Sequence, residues 1–152
     1  MKKFFNIIAA LLLAVVSTSC LDSGLEELET YKDCDITSGE IYWRYYGNDV
    51  IPGSGEQQVK QVRLARAVEQ NLDTNTFYIR YVTGKIPEAE RGNFTEGKAV
   101  VAVTISTAAT IKPIGDAPKL GVPGDWTKDN QYEVTAADGT KKTWTIVVEP
   151  YQ

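Results

Sequence analysis

The stretch from Gln131 to Val148 constrains the fold most, because only one register makes sense of its side chains. Apolar and polar residues alternate on both sides of Ala137-Asp138-Gly139, the period of two that a half-buried strand requires. A three-residue loop, a type I turn followed by Gly139 in the left-handed region, sets Tyr132 opposite Trp144. A two-residue Asp138-Gly139 turn would set Tyr132 opposite Thr145. A one-residue slip moves side chains to the other face, so only the longer loop gathers Tyr132, Val134, Trp144, Ile146 and Val148 on one apolar face. The expected cover for that face is a second sheet.

The chain upstream has the same character. Ile41, Trp43 and Tyr45 alternate with Tyr42, Arg44 and Tyr46, and Gly47-Asn48-Asp49 is expected to end that strand. Ile51-Pro52-Gly53-Ser54-Gly55 is an exposed loop by composition. Residues 57–69 fit a helix through Val59, Val62 and Ala65 or Arg66, but their β-branched residues and the hairpin-like Asn71-Leu72-Asp73-Thr74-Asn75 favour strand. Phe77, Ile79 and Tyr81 share one face of the next strand, with Tyr78, Arg80 and Val82 on the other. Residues 85–97, with Pro87 and Asn93, read as a long connection outside the core. Residues 98–106 are strongly β-like, with Val101, Val103 and Ile105 on one side. Trp126, just after Pro123-Gly124-Asp125, is expected to cap one end of the core. These elements predict an all-β fold of two packed, mostly antiparallel sheets.

The N-terminus is of another kind. Lys2 and Lys3 precede an apolar run from Phe4 to Val16, interrupted only by Asn6, that ends in Ser17-Thr18-Ser19-Cys20. Basic, then apolar, then small is the order of a signal segment whose cleavage leaves Cys20 first. The run is shorter than the roughly 20 residues of a permanent span. It resembles a bacterial lipoprotein signal, in which the cysteine receives lipid on its sulfur and its freed amine. Ser17 stands where such signals commonly carry an aliphatic residue, so ordinary secretion with a Cys20 to Cys34 disulfide stays open as the alternative. Lipidation at Cys20 would hold the protein to a membrane through its N-terminal acyl chains, each buried methylene adding about 0.8 kcal/mol. The expected organisation is a signal peptide over 1–19, a lipidated cysteine and flexible acidic tether over 20–32, and a single β-sandwich domain over 33–152.

Charge and composition exclude several functions. Loss of Lys2 and Lys3 leaves 14 basic side chains against 20 acidic ones, a formal charge of −6. Without a basic stripe, a phosphate backbone would be repelled, so no nucleic-acid partner is expected. The chain has no histidine, the commonest general base and zinc ligand. With Cys20 lipidated, Cys34 is unpaired, and the expectation for it is burial. The acid pairs Glu88 with Glu90, Asp33 with Asp35, and Asp125 with Asp129 each sit in polar loops. None has the dense oxygen pattern of a calcium loop. No metal, no cofactor and no catalytic site are expected, and the chain reads as a non-enzyme.

Binding fits the composition better. Three tryptophans and eight tyrosines offer flat rings with polar atoms, suited to sugar faces or protein partners. The cluster from Tyr42 to Tyr46 is too dense for every ring to enter one core. Tyr42, Arg44, Tyr46, Tyr78 and Arg80 are therefore the candidate binding patch, with arginine able to bind a carboxylate or stack on a ring.

Residues 98–149, from Val101 through Thr110-Ile111-Lys112-Pro113 and Trp126 to Tyr132-Glu133-Val134-Thr135-Ala136-Ala137-Asp138-Gly139 and Lys142-Thr143-Trp144-Thr145-Ile146-Val147-Val148, resemble the Ig-like β-sandwich modules of Bacteroidetes lipoproteins, including the DUF5018-type domains. Ser38-Gly39-Glu40-Ile41-Tyr42-Trp43-Arg44-Tyr45 is similar to their opening strand. The resemblance implies an Ig-like β-sandwich of unknown activity used as a surface or spacer unit. Together with the signal it gives the expectation of an outer-membrane lipoprotein, at the cell surface rather than the periplasmic face. Its expected role is protein interaction or structural support, with glycan binding in a polysaccharide-uptake system as the alternative. A coplanar row of exposed rings would favour glycan, and an apolar patch or bare sheet edge would favour protein.

Overall fold

Alternation carries most of the chain into strands, and breaks in alternation decide where it changes sheet. A computed structural model describes residues 31–152. The signal segment, Cys20 and nearly all of the expected tether lie outside the described residues. Nine strands are present among the described residues: β1 (Ile36–Val50), β2 (Gln57–Arg63), β3 (Ala65–Asn71), β4 (Thr76–Tyr81), β5 (Ala99–Ile105), β6 (Thr110–Pro113), β7 (Pro123–Gly124), β8 (Asn130–Thr135) and β9 (Lys141–Pro150). They form a four-stranded sheet in the order β2-β1-β5-β7 and a five-stranded sheet in the order β3-β4-β9-β8-β6. All pairings are antiparallel except β4 with β9, which run parallel. The architecture is two packed sheets, as the alternation predicts, consistent with the Ig-like β-sandwich that the resemblance implies.

The last hairpin has the register that its apolar face requires. Tyr132 pairs with Trp144, and Gly139 adopts φ 88°, a conformation open to glycine at no steric cost. Its N–H donates to the Ala136 carbonyl at 3.0 Å. Tyr132, Val134, Trp144 and Ile146 are fully buried, and Val148 packs beside them. From the opposite sheet, Ile36, Ile41 and Val101 close the same core. The Tyr132 hydroxyl donates to the Pro118 carbonyl at 2.6 Å, so this buried phenol is satisfied, and burial pushes its pKa up.

The ambiguous run over 57–69 resolves into two strands separated by one residue. Leu64 is completely buried and stitches the sheets together: its N–H donates to the Ile41 carbonyl at 2.8 Å, and its carbonyl accepts from Val82 at 3.1 Å. The chain crosses between sheets at Leu64, so the alternation restarts there. The helical spacing joins Val59 and Val62, which lie on opposite faces of β2, to residues of β3 beyond the crossing.

Two expectations need correction. Gly47-Asn48-Asp49 does not end β1. The strand continues to Val50, and a shift of register between Tyr46 and Val50 absorbs the extra residues as a bulge. Residues 85–97 do contribute to the core. They hold a short helix, α1 (Glu88–Arg91), but Ile86 is 1% exposed. Phe94 packs edge-on to Trp43 at 5.4 Å and tilted to Tyr81 at 5.3 Å. A polar, proline-containing stretch conceals two isolated apolar anchors that periodicity cannot detect. Trp126 is buried and stacks on Tyr132 at 6.2 Å with 11° between the rings, in keeping with its expected place at the core's end. Beneath it the Asn130 amide donates to the carbonyls of Asp125 and Lys128 at 3.1 and 2.9 Å.

Candidate functional site

Strand geometry settles where the five candidate residues point. Past the register shift between Ile36 and Ser38, β1 buries its odd-numbered residues Ile41 and Trp43, as β4 buries Phe77, Ile79 and Tyr81. Both rows enter the shared core, so the even-numbered residues face away from it on opposite sides of the sandwich. Tyr42, Arg44 and Tyr46 come together on the outer face of the four-stranded sheet. Tyr78 and Arg80 lie on the outer face of the five-stranded one.

On the five-stranded face, local partners occupy the charged groups. The Arg80 guanidinium donates to Glu69 at 2.6 Å and to Glu149 at 2.7 Å and lies 5.3 Å from the Tyr78 ring centroid. Its pKa is raised by those two carboxylates. Lys141 pairs with Glu133 further along the face. Tyr78 is half-buried, and threonines fill much of the remaining surface.

The four-stranded face is different. Tyr42, Arg44 and Tyr46 stand opposite Arg63, Gln61 and Val59 of β2. Arg63 is already clamped by both oxygens of Glu40. Arg44 has only neutral acceptors, the Gln61 side-chain oxygen at 2.7 Å and the Gly121 carbonyl at 3.2 Å. Tyr46 is 67% exposed and its cross-strand partner Val59 is 56% exposed, with Val50 and Ile51 also in solvent. A shallow groove of about 700 Å³ is lined by Tyr46, Ile51, Val59, Glu56, Gln57 and Gln58. A second, of about 340 Å³, runs behind Tyr46 toward Lys60 and α1. In it the Lys60 ammonium donates to Asp49 at 2.5 Å, holding the Asp49 carboxyl below the usual carboxylate range.

This tip exists because β1 outruns its neighbour. β5 pairs with β1 only as far as Tyr42, so the far end of β1 has only β2 beside it, and β2 is itself an edge strand. Sequence reasoning found Tyr46 and read Ile51 as part of an exposed loop, but it did not gather Val50, Ile51 and Val59 into one surface, since composition does not show which isolated apolar residues the fold brings together. The available signal was the alternation that ties Val59 to the outward face of Tyr46.

One acid of each pair is absorbed into local structure. Asp35 takes the Lys142 ammonium. Asp125 accepts from the Thr127 hydroxyl at 2.6 Å and backbone N–H at 3.0 Å, and those bonds lower its pKa. Glu90 accepts from Asn93 at 3.1 Å, and Glu88 is exposed on α1. The described residues contain no group of three or more His, Cys, Asp or Glu side chains placed to hold a metal ion, and no helix among them is long and apolar enough to cross a membrane. Cys34 is buried and unpaired among the described residues, and burial pushes its thiol pKa up.

Comparison with known structures finds several similar chains, among them two from Bacteroides species. A protein from Bacteroides fragilis NCTC 9343, described as a "putative secreted protein", shares 36% identity over 80% of this chain and 98% of its own, with a TM-score of 0.70. A "putative glycoside hydrolase" from Bacteroides thetaiotaomicron VPI-5482 shares 24% identity over 85% of this chain and 28% of its own, with a TM-score of 0.49. Comparison with curated proteins finds no match. Residues 36–147 match the model of the family described as DUF5018-related. That match takes in β1 through most of β9, including the outward row of Tyr42, Arg44 and Tyr46, and the chain belongs to the DUF5018-related family.

Proposed function

We propose that this chain is a protein-interaction module, exported and held at the outer membrane by lipid on Cys20, with the β1–β2 tip as its binding surface. The observation that carries this reading is the exposed apolar group of Tyr46, Val50, Ile51 and Val59 beside the unpaired edge of β2. Apolar surface gathered at a sheet edge favours a partner that buries it and pairs with the strand. A glycan platform would need several exposed rings in one plane. Here Tyr42 is half-buried and the candidate rings divide between two sheets. The likeness to a relative described as secreted supports export.

A photo-crosslinking residue at the tip tests the surface. Val59→p-benzoylphenylalanine, expressed in cells of the native genus, is expected to trap a discrete protein adduct, while the same residue at Thr143, on the opposite outer face, traps none. Tyr46→Ser is expected to remove the adduct while changing the unfolding free energy by less than about 0.5 kcal/mol, as an exposed site should. Equal labelling at both positions would sink the reading. Saturable binding across a panel of plant, host and microbial glycans, lost in Tyr42→Ala and Tyr46→Ala, would replace it with the glycan alternative.

The anchor has its own test. Cys20→Ser is expected to move the protein from the membrane fraction to the aqueous one and to abolish palmitate labelling. Retention of the variant in the membrane fraction would count against lipid attachment. A mobility shift on reduction, dependent on both Cys20 and Cys34, would establish the disulfide instead.

A further inference from the structure

We infer that the β1–β2 tip takes an extended peptide carrying an acidic residue two positions from an apolar one, with Arg44 receiving the carboxylate. This rests on the protein-interaction reading above and specifies the partner's chemistry. A guanidinium has five N–H donors, and Arg44 spends two of them on Gln61 and Gly121, which leaves three for a ligand. Neither acceptor carries charge, so the cation is uncompensated by any carboxylate among the described residues within its bonding reach. The backbone that carries each acceptor is itself held. Gln61 stands directly across the ladder from Arg44, and the Gly121 N–H donates to the Val101 carbonyl at 2.7 Å. The side chain is thus held in place before a ligand arrives, which reduces the ordering cost of binding.

Two arginines, one on each outer face, show what such a group donates to. Arg63 takes both oxygens of Glu40, and Arg80 takes Glu69 and Glu149. Arg44 has no carboxylate partner among the described residues, and the ligand supplies one. Its neighbour on the same face is Tyr46, two residues along. Side chains two apart in a strand are spaced about 7 Å, the same spacing that an extended peptide offers between its own alternate residues. An acid over Arg44 therefore brings an apolar side chain to Tyr46 and Val59 in the 700 Å³ groove.

The β2 edge favours a strand-like ligand. Lysine and arginine on an edge normally deter pairing by another chain. Here Lys60 is neutralised by Asp49 and Arg63 by Glu40, so the edge loses part of that protection. The aliphatic members of the groove, Ile51 and Val59, match an apolar side chain better than a hydroxylated ring.

The test is selection of a displayed library of random linear peptides on the full-length protein in detergent, followed by affinity measurement. Enriched peptides are expected to carry Asp or Glu two residues from Leu, Ile, Val or Phe. Replacing that acid by its amide is expected to weaken binding about tenfold or more, the range of a charge-assisted contact. Against Arg44→Gln the acid and amide peptides should bind alike, and Tyr46→Ser should weaken both. Circular dichroism confirms that each variant is folded. Selected peptides with no acid preference, or equal discrimination by Arg44→Gln, would overturn the inference while leaving a protein-binding tip intact. A library that yields no binder dependent on Tyr46 would overturn it as well, and a negative crosslink at Val59 would then show that the broader reading had failed too. Preferential binding of uronic-acid oligosaccharides over acidic peptides would assign Arg44 to an acidic glycan.

Discussion

Trp144→Ala is expected to remove about 3–5 kcal/mol of folding stability, the range for truncating a large buried aromatic. The indole is completely buried at the centre of the core, and its Nε1 donates to the Cys34 carbonyl at 2.8 Å. Alanine leaves both a cavity and a carbonyl without its donor. A domain of this size holds only about 5–15 kcal/mol in total, so the midpoint of thermal unfolding should fall by roughly 10–20 °C. Trp144→Phe separates the two contributions. It keeps most of the ring and loses the N–H, so it should cost about 1–2 kcal/mol in hydrogen bonding, plus a smaller packing loss. Urea unfolding followed by far-ultraviolet circular dichroism reads both variants. An alanine variant within about 1 kcal/mol of wild type would mean that this side chain is not where the sheets meet.

Gly39→Ala is expected to destabilise by about 1–3 kcal/mol, the cost of overpacking a filled core. The expected sign is the informative part. Glycine inside a strand is worse than alanine by roughly 0.5–1 kcal/mol on conformational grounds, and the Gly39 φ lies outside the positive range that would bar alanine. A position with room would therefore gain stability from the change. At Gly39 an added Cβ would stand 2.6 Å from Phe77 Cε1 and 2.8 Å from Ile79 Cδ1, side chains of β4 in the opposite sheet. The missing side chain lets the two sheets approach here. Pairing Gly39→Ala with Phe77→Leu should cost less than the sum of the two single changes, since the smaller side chain relieves the nearest contact. A stabilised Gly39→Ala would show that the sheets are further apart at this point.

The strands that could be read in advance are those whose alternation is unbroken. β4, β5, β8 and β9 each keep one apolar face, and the β8–β9 register follows from matching two such faces across a glycine turn. Alternation says nothing at Leu64, where the chain leaves one sheet for the other and the buried side chain belongs to neither pattern. It is equally silent at Ile86 and Phe94, single apolar residues in polar surroundings that enter the core because the connection folds back over Trp43 and Tyr81. Nor could it find the extension of β1 past Gly47, where a bulge preserves pairing with β2 across residues that usually end a strand.

The candidate patch divides along the same line. That Tyr42, Arg44 and Tyr46 share one face, and Tyr78 and Arg80 another, is local geometry with a period of two. That the two faces look in opposite directions depends on how the sheets pack, which involves contacts between residues far apart in the chain. The ion pairs follow the same rule: Arg80 meets Glu149 across the parallel β4–β9 pairing, whereas Arg44 meets no carboxylate.

The sequence by itself determined the all-β class, the closing hairpin with its register, and the buried row from Tyr132 to Ile146, because each depends on neighbours along the chain or across a single turn. Only the tertiary structure decided that β9 lies parallel to β4 at the centre of its sheet, that Gly39 is where the sheets touch, and that β1 runs beyond β5 to expose Tyr46 and Val59. Those outcomes depend on distant segments competing for one core, and the winner is the arrangement that buries the most apolar surface without leaving backbone groups unpaired.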